Sequence, residues 1–164
     1  MLISYLVCLA AAMLIHEFGH LVAARACRVP ATELGLGWGR KLWGVRCGAV
    51  EYKLHALPVG AYVRLDVKEL QRRPLVQQVV VLMAGVGVNL AAAALTQGTK
   101  FGTVNLLLAA TNLLPLYQQD GWKCGMVLLR ALLERRSPLV EWTFTVAGGV
   151  FSVALFVMQA LRRV

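Results

Sequence analysis

His16-Glu17-Phe18-Gly19-His20 is an HExxH sequence that lies inside an apolar segment. A helix places residues four apart on one face, so the imidazoles of His16 and His20 can bind one metal ion. Glu17 follows the first histidine and is placed to take a proton from an activated water. Three ionisable side chains within five residues are costly in lipid and indicate a functional site. The stretch therefore predicts zinc-dependent hydrolysis inside a membrane.

The composition around this stretch is that of a membrane protein. The chain has 164 residues, of which 59% are hydrophobic, and its mean hydropathy is +0.65. Four segments are long enough to cross a bilayer, at about 2–24, 75–96, 101–119 and 142–161. The sequence predicts an all-α polytopic membrane protein with about four transmembrane helices, forming a single domain over residues 1–164. A cleaved signal peptide is disfavoured, because no basic residue precedes Leu2.

The positive charge is unevenly distributed. The formal net charge is +9, and ten of the seventeen Lys and Arg residues fall between Arg25 and Arg73. The positive-inside rule therefore predicts that residues 25–74 are cytoplasmic and that the N-terminus is outside a bacterial or archaeal cell membrane. The expected partner of the chain is a lipid bilayer. A nucleic-acid partner is disfavoured, because the charges follow this topology and no aromatic–basic platform appears.

The four cysteines predict no disulfide framework. They show no CxxC spacing, and free, buried thiols are the expected state. The residues concerned are Cys8, Cys27, Cys47 and Cys124.

A second polar motif supplies a third candidate ligand. The sequence NLLP at 112–115 is followed by Asp120-Gly121. A catalytic zinc takes three protein ligands and keeps one open position. With Glu134 and Glu141 assigned to the charge-rich connecting stretch, Asp120 is the only carboxylate in or next to the three later segments. Pro115 loosens the helix so that the carboxylate can turn inward. Two alternatives remain open: Cys124 as the ligand, and Asp120-Gly121 as a simple helix C-terminal cap.

Two connecting segments have patterns of their own. Residues 33–65 carry a strand signal, with short strands at 42–46 and 50–56, and predict a small membrane-associated β-hairpin. Residues 123–136 alternate apolar and basic positions at helical spacing, which predicts an amphipathic helix at the cytoplasmic interface.

Four motifs in order resemble the site-2 protease family of intramembrane zinc metalloproteases. Many members of that family carry PDZ or other soluble domains, and none is expected here. Four positions depart from the family pattern, namely Ala61, Val86, Gln119 and Trp122, and none of them removes a ligand. The motifs are HEFGH at 16–20, LPVGAYV at 57–63, GVGVN at 85–89 and NLLPLYQQDG at 112–121.

The resemblance implies a role for each matching residue. It implies one zinc ion per chain, held by His16, His20 and Asp120, with Glu17 as the general base. Two asparagines match tentative substrate or oxyanion positions, with Asn112 near the scissile carbonyl and Asn89 facing the active site. The edge of the hairpin strand that carries Tyr52 and Leu54 is expected to pair with an extended substrate.

The implied activity is that of an endopeptidase which cuts single-span membrane proteins within or near the bilayer, as in regulated intramembrane proteolysis. Two alternatives are weighed against it. One is a catalytically silent family member that serves as a membrane binding or chaperone module. The other is a zinc-dependent membrane hydrolase of a non-peptide bond. The intact ligand and base residues favour the protease, and a homo-oligomer is left open.

Overall fold

A computed structural model describes residues 2–133 and 138–161 of the chain. The chain divides into two compact units, Met1–Ala110 and Thr111–Val164. The elements in chain order are α1 (Leu2–Ala26), β1 (Ala31–Cys47), β2 (Val50–Leu65), α2 (Val67–Arg72), α3 (Leu75–Leu95), α4 (Lys100–Leu113), α5 (Asp120–Leu132) and α6 (Pro138–Leu161).

The predicted fold class, an all-α protein with about four transmembrane helices, is wrong. The described residues form six helices and an antiparallel sheet of two long strands. Within the described residues, two helices are long and apolar enough to cross a membrane, Ile3–Ala26 and Leu75–Leu95. These two coincide with the first and second predicted spans.

The third predicted span, at 101–119, is interrupted for a local reason. Helix α4 ends at Leu113 after 14 residues, a length of about 21 Å against the roughly 30 Å of a bilayer core. Pro115 lacks an N–H and disfavours helix in the residue before it. Helix α6 covers the fourth predicted span, 142–161, and its described apolar stretch is Pro138–Ala154. Hydropathy alone does not register where an apolar run stops being helical.

The two strands of the sheet are longer than the strands predicted at 42–46 and 50–56. The turn between β1 and β2 contains Gly48 at φ +61°, a conformation that favours glycine. Leu34 pairs with Tyr52 and also with Val63, which shows that both strands bend. The first part of β1 therefore lies between the two ends of β2. This part of the sheet packs on α1 through a buried cluster that includes Leu21 and Leu34.

Helices α1 and α3 pack along stripes of small and polar residues. A Cβ on Gly19 would come within 2.9 Å of the carbonyl oxygen of Ala84, so this glycine lets the two backbones approach closely. Positions three or four apart share a helix face, and the buried positions follow that spacing. They include Ala12, His16, Gly19, His20 and Ala24 on α1, and Val81, Gly85 and Asn89 on α3; Leu21 and Val86 are buried as well.

The second unit contains α5 and α6. The Arg130 guanidinium donates two hydrogen bonds to the Glu141 carboxylate, at 2.8 and 2.7 Å, and this ion pair raises the pKa of Arg130. Trp122 stacks near Phe144, with ring centroids 6.4 Å apart. The amphipathic helix predicted at 123–136 corresponds to α5, which begins three residues earlier; residues 134–136 lie outside the described part.

Candidate metal centre

His16 and His20 form a buried pair on α1. Their exposed fractions are 5% and 6%. The two Nε2 atoms lie 3.3 Å apart, and the rings stand nearly perpendicular at 82°. The four-residue spacing of HExxH thus brings the two imidazole tips together, as a helix requires.

The tautomer of His20 follows from its hydrogen bond to α3. Its Nδ1 lies 2.7 Å from the carbonyl oxygen of Val81. A carbonyl oxygen can only accept, so Nδ1 carries the proton and donates it. The Nε2 atom of His20 is then the nitrogen that can bind a metal ion.

The tautomer of His16 is determined by a chain of side-chain amides. His16 Nδ1 contacts Oδ1 of Asn89, while Asn89 Nδ2 donates to the carbonyl oxygen of Ala12 at 3.1 Å. Because the Ala12 carbonyl can only accept, the nitrogen of the Asn89 amide must face it and the oxygen must face His16. His16 therefore donates from Nδ1 and, like His20, presents Nε2. Hydrogen bonds of this kind orient metal-binding histidines in many proteins.

This chain of amides ends at Asn105, a residue that the sequence analysis missed. Asn89 Nδ2 also donates to Asn105 Oδ1 at 2.6 Å, and Asn105 Nδ2 donates to the carbonyl oxygen of Phe101 at 2.8 Å. Both asparagine side chains are fully buried. A polar side chain in an apolar segment is itself a signal of function, and that signal could have identified Asn105.

The side chain of Asn89 faces His16 and is engaged by protein groups. Its oxygen accepts from His16, and its amide nitrogen donates to Ala12 and to Asn105. Both amide protons are thus used within the first unit, which leaves none to bind a substrate or an oxyanion. Asn89 supports a histidine instead.

Gly85 of α3 provides the space that the imidazoles occupy. A Cβ at this position would lie 2.5 Å from Nε2 of His20 and 2.7 Å from Nε2 of His16. Any side chain larger than hydrogen would therefore displace the imidazole tips. From the sequence, Gly85 could be identified only as part of a motif, without a role of its own.

The histidine pair fits zinc. Two nitrogens bound to one tetrahedral ion at about 2.0–2.1 Å would lie about 3.3–3.4 Å apart, and the observed separation is 3.3 Å. Both imidazoles direct Nε2 toward the same position, where one ion could bind both nitrogens. Nitrogen donors are among those that zinc prefers. Glu17, next to His16 on α1, is half-buried.

Asp120 and Asn112 belong to the second unit. Asp120 is 4% exposed and is the first residue of α5, so it does not end a helix as predicted. Its carboxylate contacts the Lys123 ammonium at 3.1 Å, and a helix N-terminus favours negative charge. A Cβ on Gly121 would meet the Leu113 carbonyl oxygen at 2.3 Å, so the turn after α4 needs glycine here. Asn112, in the last turn of α4, is 9% exposed.

Cys124, the alternative ligand, is a buried thiol. Burial raises its pKa, and the negative charge of Asp120 raises it further. Both effects disfavour the thiolate, which is the form that binds metal.

The hairpin edge was assigned to the wrong strand. Tyr52 pairs with both Leu34 and Val45, and Leu54 likewise has neighbours on two sides. A strand with partners on both sides cannot accept a third one. The outer part of β1, at 41–47, pairs on one side in the described register and is one edge that an added strand could use; residues 61–65 of β2 form the other edge.

Comparison with known proteins gives matches to metalloproteases. The model of Peptidase family M50 matches residues 4–99. A Clostridium perfringens protein, named as a candidate zinc metalloprotease, is 32% identical over 96 residues, which cover 54% of this chain and 29% of that protein.

Two further relatives carry names of the same kind. One from Nostoc is 34% identical over 94 residues, covering 50% of this chain and 26% of the relative. One from Clostridium acetobutylicum is 28% identical over 133 residues, covering 72% and 38%. The chain therefore spans well under half the length of these relatives.

Proposed function

We propose, from the finding that this chain belongs to peptidase family M50, that it acts as a zinc-dependent endopeptidase. Membership confirms the resemblance to the site-2 protease family. The matched segment contains HExxH, the sheet and the whole of α3.

One observation carries the proposal. The two Nε2 atoms of His16 and His20 lie 3.3 Å apart, and both imidazoles are held in the tautomer that a metal requires. Histidines with only a structural role would need neither Nε2 atoms this close together nor the same tautomer. The arrangement therefore supports one zinc ion per chain at this pair.

The third ligand in this proposal is Asp120. Two histidines and one carboxylate are a ligand set of catalytic zinc, with a fourth position open. Its burial, its position at a helix N-terminus and the protonated state of the neighbouring thiol support the choice of Asp120 over Cys124. Asn112, in the last turn of α4, is proposed to hydrogen-bond near the scissile carbonyl.

Glu17 is the proposed general base. Bound zinc supplies Lewis acidity, which makes water a nucleophile near neutral pH and polarises a carbonyl. Glu17 takes the proton of the attacking water and then delivers it to the amide nitrogen of the leaving group, so the peptide bond breaks as a carboxyl group and an amine. The histidines hold the metal and keep their Nδ1 protons throughout.

The proposed substrates are single-span membrane proteins cut within or near the bilayer. Peptidase family M50 is membrane-associated, and α1 and α3 have the length and hydropathy of spans. Both site histidines lie in α1. The distribution of basic residues supports a cytoplasmic location for residues 25–74 with the N-terminus outside.

Substrate presentation is proposed at the outer part of β1. A helical substrate must unwind before a peptide bond can be reached, and an extended segment can add to an open sheet edge. Residues 41–47 offer such an edge within the described sheet. Trp43 and Val45, both exposed, would flank the added strand.

The test is cleavage of a single-span reporter by purified protein in lipid vesicles. Glu17→Gln should keep its zinc and lose activity by about 10²–10⁴-fold, the usual effect of removing a general base. Phe18→Leu, at an exposed neighbouring position of the same helix, is the matched control and should remain active. Activity of Glu17→Gln within tenfold of wild type, or a wild-type protein without zinc, would refute the proposal.

A further inference from the structure

We propose that Asn105 of α4 is a positioning residue for the metal centre, acting through Asn89 to hold His16 in its metal-binding tautomer. The inference rests on the proposed function and adds a residue from a third helix to the site.

The chain of amides formed by Asn89 and Asn105 is anchored at both ends by backbone carbonyls. Asn105 Nδ2 donates to the Phe101 carbonyl at 2.8 Å, and Asn89 Nδ2 donates to the Ala12 carbonyl at 3.1 Å. Carbonyl oxygens only accept, so each amide can point in one direction only. Reversing either amide would place two acceptors, or two donors, against each other.

Asn105 therefore determines the environment of Asn89. Asn89 Nδ2 has two protons, and Asn105 Oδ1, at 2.6 Å, accepts one of them. With Asn105 replaced by an apolar residue, that proton would be buried without an acceptor, which is unfavourable. Asn89 would then be held by the Ala12 carbonyl alone, so its amide could tilt and its oxygen could move away from Nδ1 of His16.

His20 provides an internal comparison. Its Nδ1 donates directly to the Val81 carbonyl, and Asn105 takes no part in that bond. Loss of Asn105 should therefore disturb one histidine of the pair and spare the other. A general loosening of the helices would disturb both.

The first measurement is the tautomer of each histidine, read from ¹⁵N chemical shifts of metal-free protein. Wild type should show Nδ1–H for His16 and for His20. Asn105→Leu should give a mixture of tautomers at His16 with His20 unchanged. Asn105→Asp retains the oxygen that accepts from Asn89, and with its carboxyl protonated it can still donate to the Phe101 carbonyl, so it should restore the wild-type pattern at His16. If Asn105→Leu does not fold, Asn105→Ala replaces it in the same comparison.

The second measurement is zinc affinity, determined by competition with a chelator. Removing an outer partner of a ligand typically weakens metal binding 10–100-fold; for Asn105→Leu, one step further out, we expect about tenfold. Because Asn105 acts through Asn89, it should add nothing to the loss caused by Asn89→Leu, whereas independent sites would add.

The outcomes separate the two proposals. Wild-type protein that binds no zinc would refute the proposed function. Normal zinc binding with wild-type tautomers and affinity in Asn105→Leu would leave the proposed function standing and refute the role of Asn105. Equal disturbance of His16 and His20 would also refute it, because it would indicate a structural role only.

Discussion

Gly85→Ala is the substitution that most directly tests the geometry of the metal centre. The added Cβ would lie 2.5 Å from Nε2 of His20 and 2.7 Å from Nε2 of His16. Ordinary contact begins at 3.4 Å, so the nearer imidazole would have to move by about 0.9 Å. Metal–ligand distances in working sites hold to about 0.2 Å. The shift is several times larger than the site can absorb.

The expected loss of zinc affinity is about 100-fold or more, the upper end of what changes around a ligand produce. Helix stability should change in the opposite direction, since alanine is favoured over glycine in a helix by about 1 kcal/mol. Gly85→Ala should therefore be a folded protein with a damaged site. Zinc affinity by chelator competition and thermal unfolding of the metal-free protein measure the two effects separately.

Gly87→Ala is the matched control. It lies in the same helix and gains the same helix propensity, but no atom comes within 4 Å of the Cβ that it would add. Its zinc affinity and activity should equal those of wild type. If Gly85→Ala binds zinc within threefold of wild type, the imidazoles are not confined by α3 and the reasoning fails.

Three further predictions concern the other parts of the molecule. Asp120→Ala should lose most of its zinc, whereas Cys124→Ala should keep it; metal analysis that gives the reverse would identify Cys124 as the ligand. With Cys47, exposed at the hairpin turn, as the sole cysteine, a membrane-impermeant maleimide should label the protein only after the cells are permeabilised, and labelling of intact cells would overturn the proposed orientation. Glu141→Gln should lower the stability of the second unit by up to about 1 kcal/mol, the range for partly exposed ion pairs, and an unchanged thermal midpoint would show that the pair with Arg130 contributes nothing.

The sequence was most informative where one local rule was sufficient. The four-residue spacing of His16 and His20 predicts a pair on one helix face, and the structure has that pair. Helices α1 and α3 begin and end within two residues of the predicted spans, because both are uninterrupted apolar runs. Their partners across the helix interface involve residues about 60 to 75 positions away, and no periodicity reports those contacts.

Each error in the prediction has its own physical cause. The predicted helix at 101–119 was extended across Pro115, although the backbone stops being helical before it. Asp120 was therefore placed at the end of a helix when it begins one. The length of the sheet was underestimated because β1 contains glycines, which carry little strand signal. The pairing of Tyr52 on both sides depends on how the strands bend, and the bend is a property of the folded sheet.

The paired amides of Asn89 and Asn105 also constrain how this protein can change over generations. Replacing either residue alone leaves a buried polar group without a partner, whereas replacing both partners of a hydrogen bond by apolar residues of similar shape can be nearly neutral. Asn89 is further restrained by its bond to His16. Among relatives that keep the histidine pair, these two positions should therefore vary together or stay fixed together, so that each asparagine in one lineage predicts the other.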